Sequence, residues 1–358
     1  MKRVLQIVGP LGDGGIITVV MNYYRHINRE QIQFDFITWS SNPKHIVDEI
    51  EKLGGRIFQL PSRARRPLGY MRALYRAIRD NNYQMVHTHQ SSASMVMDGV
   101  VARMCGVPVV IGHSHNNRCN VLWQHYLFRP FVNVCFKHRL ACSDEAGKWV
   151  FGEREVKILN NAIDAGRFRF NEEVRNSIRK ELGLTGELLV GFVGRLHPQK
   201  NPYRMLEIFA EVWKKQSHAH LLIVGDGGER EGMLQLCKEL NILPNVHFVG
   251  QVTNVHEMMM AMDVFLFPSV FEGLGVVVIE AQATDLPCVV SENVPAPDLT
   301  GRLSVCRLED ENEVWANALL KQVPTKRGDT SPRIREGRYD IVHEAVVLED
   351  YYKSLEKI

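Results

Sequence analysis

Two glutamates, Glu272 and Glu280, flank a short turn sequence, Gly273-Leu274-Gly275. Glycines let a ligand approach the backbone N–H groups closely, and the N-terminus of a following helix favours an anion. Eight residues at about 1.5 Å rise would place the two carboxylates about 12 Å apart along a helix. The spacing predicts that one carboxylate binds a neutral polyol and the other a second hydroxyl-bearing group. A sugar joined to a ribose through a diphosphate has this shape. The alternative is an ordinary turn with one solvated and one core glutamate, but burying an unpartnered glutamate is costly.

The elements around this turn predict a strand, a loop and a helix. The apolar run Val264–Phe267 ends at Pro268 and is typical of a buried strand in a parallel sheet. Apolar residues continue beyond the turn to Ala283, which is long enough for a helix, and Val289 lies in the next predicted strand. Parallel α/β proteins bind their ligands at such turns.

A second loop carries two cations. Arg195 and Lys200 follow the predicted strand Leu188–Val193, and a helix is expected to begin near Pro202. Two cations five residues apart at this position suit a diphosphate. A surface loop with ordinary charges is the alternative.

The chain opens with another strand, glycine loop and helix. The strand Val4–Val8 precedes a loop that ends in Gly14 and Gly15, and a helix is predicted for Ile16–Ile27. A dinucleotide-binding dehydrogenase is disfavoured because the glycines do not follow G-x-G-x-x-G and the second strand ends without an acidic residue. The two glycines are predicted to let backbone amides approach a phosphate, although a tight turn would need them equally.

Four histidines stand at the ends of two predicted strands. His87 and His89 end one strand, and His113 and His115 end the next. Histidines in this number suggest a metal, but zinc requires clustered ligands, usually with an acidic or cysteine partner. The sequence does not establish that clustering, so no metal site is predicted.

Length, composition and cysteine use limit the class of protein. The 358 residues are 45% hydrophobic and 23% charged, sufficient for two globular domains. No apolar run approaches the ~20 residues that span a bilayer. The N-terminus shows no signal-peptide pattern. The seven cysteines are scattered and lack any Cys-x-x-Cys pair, which indicates reduced thiols. These features predict a cytoplasmic protein.

The net charge of +2 conceals an asymmetry. Residues 1–166 hold 21 Lys/Arg against 13 Asp/Glu, and residues 167–358 hold 22 against 28. A basic first half predicts an anionic partner there. On the predicted helix Leu68–Asp80, Arg72, Arg76 and Arg79 line one face. The face is either solvated or a surface for anionic lipid.

Apolar residues on two predicted helices are assigned mainly to the core. The helix at 68–80 has a predicted apolar stripe of Leu68, Met71, Leu74, Tyr75 and Ile78. Residues 121–136 are strongly apolar, and most of them are expected in the core, while the part near Trp123 is a candidate lipid contact.

Four segments together resemble a known enzyme family. Residues 9–15, 111–115, 194–201 and 271–280 resemble the motifs of family-4 retaining glycosyltransferases of the GT-B fold, and the opening through Phe36 resembles bacterial exopolysaccharide and capsule members. The resemblance implies an α/β fold with two Rossmann-like domains facing across a cleft. The expected domains are 1–166 for the acceptor and 167–338 for the nucleotide-sugar. Residues 339–358 are expected to form a C-terminal helix that returns to the first domain.

The resemblance also implies a role for each motif residue. The catalytic residues are His113, Arg195, Lys200 and Glu272. The donor-binding residues are Gly14, Gly15, Val252, Gly273, Leu274, Gly275 and Glu280. His87, His89 and His115 are expected on the acceptor side through hydrogen bonds.

The implied reaction moves a hexose-type sugar, with retention, from a UDP-sugar to a glycan or lipid-linked acceptor. No Asp-x-Asp occurs in the chain, so neither a metal nor another cofactor is expected. Nucleic acid is not an expected partner, whereas peripheral contact with an anionic inner membrane face is. A sugar-nucleotide epimerase and a nucleotide- or glycan-binding protein without activity remain alternatives, since residues 284–298 depart from the family pattern.

Overall fold

A computed structural model describes residues 1–12, 15–40, 42–119, 121–323 and 326–355. Gly14, one of the predicted donor-binding residues, lies outside these ranges. The chain divides into two compact units. The first comprises Met1–Ala162 together with Ile341–Ile358, and the second comprises Ile163–Asp340.

The strands of both units are short and mostly buried. They are β1 Lys2–Ile7, β2 Ile32–Thr38, β3 Ile57–Gln59, β4 Met85–Gln90, β5 Val109–Ser114, β6 His138–Ala141, β7 Lys157–Ile158, β8 Leu189–Val193, β9 His220–Val224, β10 Val246–Gly250, β11 Val264–Phe267, β12 Cys288–Ser291 and β13 Leu303–Cys306.

Helices connect nearly all of these strands. They are α1 Gly15–His26, α2 Lys44–Lys52, α3 Pro67–Asp80, α4 Val96–Met104, α5 Leu122–Cys135, α6 Asp144–Phe151, α7 Glu172–Glu181, α8 Pro202–Lys215, α9 Arg230–Glu239, α10 Val255–Ala261, α11 Val276–Ala283, α12 Asn312–Lys321, α13 Ser331–Glu336 and α14 Ile341–Ser354. No helix in the described ranges is long and apolar enough to cross a membrane.

Each unit is built on one parallel sheet. In the described part of the chain, the first sheet has the order β3-β2-β1-β4-β5-β6-β7 and the second β10-β9-β8-β11-β12-β13. Both orders reverse direction beside the unit's first strand, between β1 and β4 and between β8 and β11. Doubly wound sheets bind ligands at the carboxyl ends of the strands at this switch point.

The strand sequences explain why these sheets are central. β8 and β11 are buried along their whole length, as near-continuous apolar runs covered by helices on both faces should be. Gly191 on β8 is needed for packing, because an added Cβ would lie 2.0 Å from the sulfur of Met262. The predicted strands and helices around the candidate site residues are therefore confirmed.

The C-terminal helix belongs to the first unit, as expected from the fold. α14 packs against α1. Its Tyr352 is buried, and the hydroxyl lies 2.7 Å from Nδ1 of His87. A residue 265 positions away in sequence thus contacts the histidines at the end of β4.

The prediction that most of residues 121–136 lie in the core was wrong. α5 buries His125, Val132 and Cys135, while Trp123 is 66% exposed and Val134 is 75% exposed. The exposed apolar residues repeat at helical spacing along one face. They are Leu122, Trp123, Tyr126, Leu127, Phe131 and Val134.

The predicted apolar stripe of α3 also needs correction. Tyr70 and Ala77 are buried with Leu74 and Ile78, whereas Leu68 is 80% exposed. The core face is rotated from the predicted stripe because Tyr70 faces α4, where its hydroxyl donates to Asp98 at 2.7 Å.

Candidate functional site

The turn between β11 and α11 differs from the helical geometry assumed for it. α11 begins at Val276, and Gly275 is its N-cap with φ of +69° in the left-handed region. An added Cβ on Gly275 would lie 2.7 Å from Cγ1 of Val294. Glu272 therefore precedes the helix, and Glu280 lies one turn inside it rather than two. The estimate of about 12 Å along a continuous helix does not apply.

Glu272 and Lys200 form an ion pair at the β8–β11 switch point. Oε1 of Glu272 is 2.5 Å from Nζ of Lys200. The same oxygen is 2.5 Å from the hydroxyl of Ser269. Both partners are mostly buried, and the ammonium lies 4.8 Å from the centre of the Phe267 ring. Two residues from separate sequence motifs are thus brought together.

Backbone hydrogen bonds fix this pair. Val270 N–H donates to the carbonyl of Gln199 at 2.8 Å, and the Gln199 side-chain amide donates to the carbonyl of Phe271 at 3.0 Å. The loop after β8 is thereby tied to the loop after β11. The positions of Lys200 and Glu272 are therefore fixed by these hydrogen bonds between the loops as well as by the ion pair.

Arg195 lies at the start of the loop after β8, five residues before Lys200. It is exposed just after β8, in the segment whose Leu196 N–H donates to the carbonyl of Asp226 at 3.0 Å. Gly227 permits this contact, since an added Cβ would lie 2.2 Å from the Leu196 carbonyl oxygen. The guanidinium is thus carried on a fixed backbone beside the end of β8.

Glu280 is unusual among the carboxylates of the second unit. It is only partly exposed and has no hydrogen-bond partner among the described residues. Burial raises the pKa of its carboxyl to about 7, although the charge of Arg167 acts in the opposite direction. A carboxylate in this environment can accept a hydrogen bond from a hydroxyl group of a ligand.

Arg167 connects Glu280 with the predicted base loop. Its guanidinium donates to the carbonyl of Thr253 at 3.0 Å, next to Val252. Sequence reasoning missed Arg167, because only its position at the predicted domain boundary drew attention to this segment. It also missed Ser269, whose contact with Glu272 requires the turn geometry.

Residues 284–298, which depart from the family pattern, are held in place by an ion pair and several hydrogen bonds. Asp285 has φ of +52°, a conformation that aspartate tolerates, and its carboxylate pairs with Arg302 at 3.2 Å. The Gln282 amide donates to the carbonyl of Pro297 at 2.9 Å. Oδ1 of Asp298 accepts the N–H groups of two following residues, so this oxygen caps a turn.

The four histidines of the first unit form one buried cluster. β4 and β5 are parallel neighbours with His89 opposite His113, and His87 lies two residues before His89 on the same face. Ring centres are 4.0 Å apart for His87 and His89 and 5.2 Å apart for His89 and His113. His115 completes the cluster, with its ring centre 4.0 Å from that of His113.

Hydrogen bonds in this cluster leave several ring nitrogens unpaired. His89 contacts Gln6 Oε1 at 2.8 Å through Nε2 and His115 Nε2 at 2.9 Å through Nδ1. Nε2 of His87 and both ring nitrogens of His113 have no partner among the described residues. Burial lowers the pKa of His87, His89 and His113 well below 6.5 and that of His115 to about 4. The rings are therefore neutral at pH 7.

Other predicted site residues occupy the turns around these groups. Gly273 and Leu274 are buried in the turn before α11, and Val252 follows β10. Gly15 begins α1 in the first unit.

These features define a glycosyltransferase of the GT-B fold. Residues 174–312 match the family model of group 1 glycosyl transferases, and residues 14–145 match that of a glycosyl transferase 4-like domain. The chain belongs to this glycosyltransferase family, as its motifs predicted.

Individual relatives agree with this assignment. The putative glycosyltransferase EpsF of Bacillus subtilis is 33% identical over 342 residues, which cover 91% of this chain and 89% of that protein. The UDP-Gal:alpha-D-GlcNAc-diphosphoundecaprenol alpha-1,3-galactosyltransferase of Escherichia coli is 27% identical, covering 77% of this chain and 76% of that enzyme.

A solved structure supports the fold. HepE from Anabaena, in complex with UDP-glucose, has a TM-score of 0.81 at 14% identity and covers 99% of this chain and 100% of its own. At this identity the likeness concerns the fold alone.

Proposed function

We propose that this enzyme transfers a hexose-type sugar, with retention at the anomeric carbon, from a UDP-sugar to a glycan or lipid-linked acceptor in surface polysaccharide biosynthesis. The name of the Escherichia coli relative specifies a UDP-sugar donor and a lipid diphosphate acceptor. The HepE complexes contain UDP, glucose or UDP-glucose. Both support this choice of donor.

The Lys200–Glu272 ion pair, together with the unpaired Glu280 carboxyl on the helix that follows the same turn, carries the proposal. The ammonium of Lys200, at 2.5 Å from Glu272, can exchange its carboxylate for a diphosphate oxygen. Glu272 would then accept a hydrogen bond from the sugar. Glu280 would accept one from the ribose, next to a base held at the loop of Val252. In this proposal Glu272 is assigned to the sugar, Lys200 to the diphosphate, Glu280 to the ribose and Val252 to the base.

The proposed reaction needs no metal at the diphosphate. Arg195, Lys200 and the first N–H groups of α11 are preorganised donors for the charge that develops on the leaving group. The leaving phosphate oxygen takes the acceptor proton, so no separate protein base is required. His113 contacts the donor sugar in this scheme, and Gly14 and Gly15 provide backbone N–H groups for phosphate. His87, His89 and His115 line the acceptor side.

Calorimetry of UDP binding to two alanine variants tests the assignment of the glutamates. Glu280→Ala should weaken UDP binding because it removes the ribose contact. Glu272→Ala should keep or raise the affinity for UDP, because Lys200 is released from its ion pair and free UDP lacks the sugar, but it should slow sugar transfer. Equal losses of UDP affinity in both variants would contradict the assignment.

Product analysis then separates the reaction types. Incubation of the enzyme with a UDP-sugar and a lipid-diphosphate sugar should give a product with the donor's anomeric configuration by NMR. A changed sugar with donor alone would indicate an epimerase. Binding of UDP-sugar without any turnover would indicate an inactive binding protein.

We also propose that the first unit rests on an anionic membrane surface. The exposed apolar face of α5 is suited to lipid contact, and α3 and α5 both pack on α4, so they share a helical layer. Arg72, Arg76 and Arg79 on α3 are exposed and form no ion pair with the described carboxylates. This arrangement supports an acceptor that is anchored in lipid.

Vesicle co-sedimentation tests this surface. Each cation near an anionic surface is worth about 1 kcal/mol, so the triple Arg→Gln variant should lose roughly two decades of partitioning at low salt. The control variant Lys44→Gln/Lys52→Gln/Arg154→Gln removes the same charge from exposed positions outside α3. Equal pelleting of the wild type and the α3 variant with anionic vesicles would show that α3 is only a solvated face.

A further inference from the structure

The three histidines His87, His89 and His113 are arranged as the ligands of a transition metal. One ring nitrogen from each lies within 4.8 Å of the other two. In a tetrahedral zinc site the Zn–N distance is about 2.0–2.1 Å, so ligating nitrogens are roughly 3.3 Å apart. Side-chain rotations that bring these nitrogens closer by about 1–1.5 Å complete the geometry.

Hydrogen bonding indicates which nitrogens are available. Nδ1 of His87 faces the Tyr352 hydroxyl at 2.7 Å, which leaves Nε2 unpaired. His89 directs Nε2 to the side-chain amide oxygen of Gln6 at 2.8 Å, so this nitrogen donates and Nδ1 holds the lone pair. That lone pair accepts a hydrogen bond from Nε2 of His115 at 2.9 Å, which a bound ion would replace. Both nitrogens of His113 are unpaired. Metal-binding histidines commonly have their second nitrogen held by such an outer partner.

Burial and space favour an ion. All three side chains are at least 95% buried, and unpaired ring nitrogens are costly in such surroundings. A cavity of about 10 Å³ adjoins the rings and is lined also by Val20, Tyr23 and Tyr352. This volume suits one small ion or water.

We propose that His87, His89 and His113 bind one Zn²⁺ ion with a water as fourth ligand, and that the bound ion inhibits the transferase. The inhibition rests on the proposed function, because it arises from withdrawing His113 from the donor sugar. Binding of the ion rests on the histidine geometry alone. The three proposed ligands do not include Lys200 or Glu272, which hold the diphosphate in the proposed reaction, so the metal-free enzyme is expected to be active.

Metal binding is measured on the full chain after chelator treatment. We expect one Zn²⁺ per chain by calorimetry, and visible d–d bands of tetrahedral Co²⁺ upon substitution. At a zinc concentration about 100-fold above Kd, the Tm of the 358-residue chain should rise by roughly 3–4 °C. No Zn²⁺ binding by the wild type, or cobalt–thiolate charge-transfer bands that assign the ion to cysteines, would overturn the proposal without any variant.

Variants locate the site. His113→Gln and His87→Gln should lose stoichiometric Zn²⁺ binding, while His220→Gln, in the histidine pair of the second unit, should retain it. Tyr352→Phe keeps all three ligands but removes the outer partner of His87, and Zn²⁺ affinity should fall by about 10- to 100-fold. Far-UV circular dichroism in chelator verifies that each variant is folded. Unchanged binding in the folded His113 and His87 variants would refute the site.

Activity distinguishes the two parts of the proposal. Zn²⁺ should slow sugar transfer by the wild type, and EDTA should restore the initial rate. Full activity at saturating Zn²⁺ would refute the inhibition and leave the binding result intact. If no UDP-sugar supports transfer, the proposed function fails, while zinc stoichiometry still decides the metal site.

Discussion

Replacing Glu280 with glutamine is expected to stabilise the second unit at neutral pH while weakening UDP binding. The wild-type carboxyl has no hydrogen-bond partner among the described residues, and burial raises its pKa from 4.5 to about 7. Glutamine has nearly the same shape but carries no charge. It should therefore avoid the desolvation cost that the ionised carboxylate bears.

The pH dependence follows from the direction of this pKa shift. Between pH 4.5 and 7 the folded chain retains a proton that the unfolded chain has lost, so the free energy of unfolding falls as pH rises. The stabilisation is complete below pH 4.5 and is lost above pH 7. At about 1.4 kcal/mol per pKa unit, the loss is roughly 3 kcal/mol, an upper limit because the carboxylate is partly exposed.

Urea denaturation at pH 5 and pH 8 measures this effect through tryptophan fluorescence. Glu280→Gln should be up to about 3 kcal/mol more stable than the wild type at pH 8, and within about 1 kcal/mol of it at pH 5. Glu181→Gln, an exposed carboxylate of the same unit, should change stability by less than about 1 kcal/mol at either pH. Equal stability of Glu280→Gln and wild type at pH 8 would refute the claim that the ionised Glu280 carboxylate destabilises the folded chain. Unchanged UDP affinity would refute its role toward ribose.

The remaining predictions concern the diphosphate site and its turn. Lys200→Ala and Arg195→Ala should each lose about 2–4 kcal/mol of transition-state stabilisation in kcat/KM. Loss of transfer in EDTA with both variants active would contradict the metal-free reaction. Gly275→Ala should destabilise the protein by about 2 kcal/mol or more, because φ is +69° and its Cβ would contact Val294 at 2.7 Å. Gly228→Ala, with open space at its Cβ, is the control, and equal Tm values for the two variants would show that the turn relaxes.

Much of the fold could be predicted because local patterns agree with the final sheets. Buried strands such as β8 and β11 are near-continuous apolar runs, and glycine-containing loops follow them. The meeting of Lys200 with Glu272 follows from the same pattern, since the two loops end neighbouring strands of one sheet.

Other features depend on contacts that no local pattern contains. The exposed face of α5 carries the same apolar residues that a buried face would. The sequence pattern alone therefore predicted, wrongly, that these residues lie in the core. The contact of Tyr352 with His87 joins residues 265 positions apart. The histidine cluster was not predicted. Two His-x-His pairs place four rings on one face only when their parallel strands are neighbours in register, which the sequence does not show.

Under the proposed function, the ion pair of Lys200 and Glu272 determines how a donor binds to the second unit. Without ligand, each charge is neutralised by the other at 2.5 Å, whereas Glu280 has no such partner. A diphosphate must therefore compete with Glu272 for the ammonium, and its success frees the carboxylate. Because Ser269 still contacts the same carboxylate oxygen, Glu272 stays in place when Lys200 turns to the phosphate. Binding of the diphosphate therefore releases the carboxylate that accepts the hydrogen bond from the sugar. UDP alone loses free energy by breaking the Lys200–Glu272 pair, whereas the UDP-sugar replaces the lost contact with a hydrogen bond to Glu272.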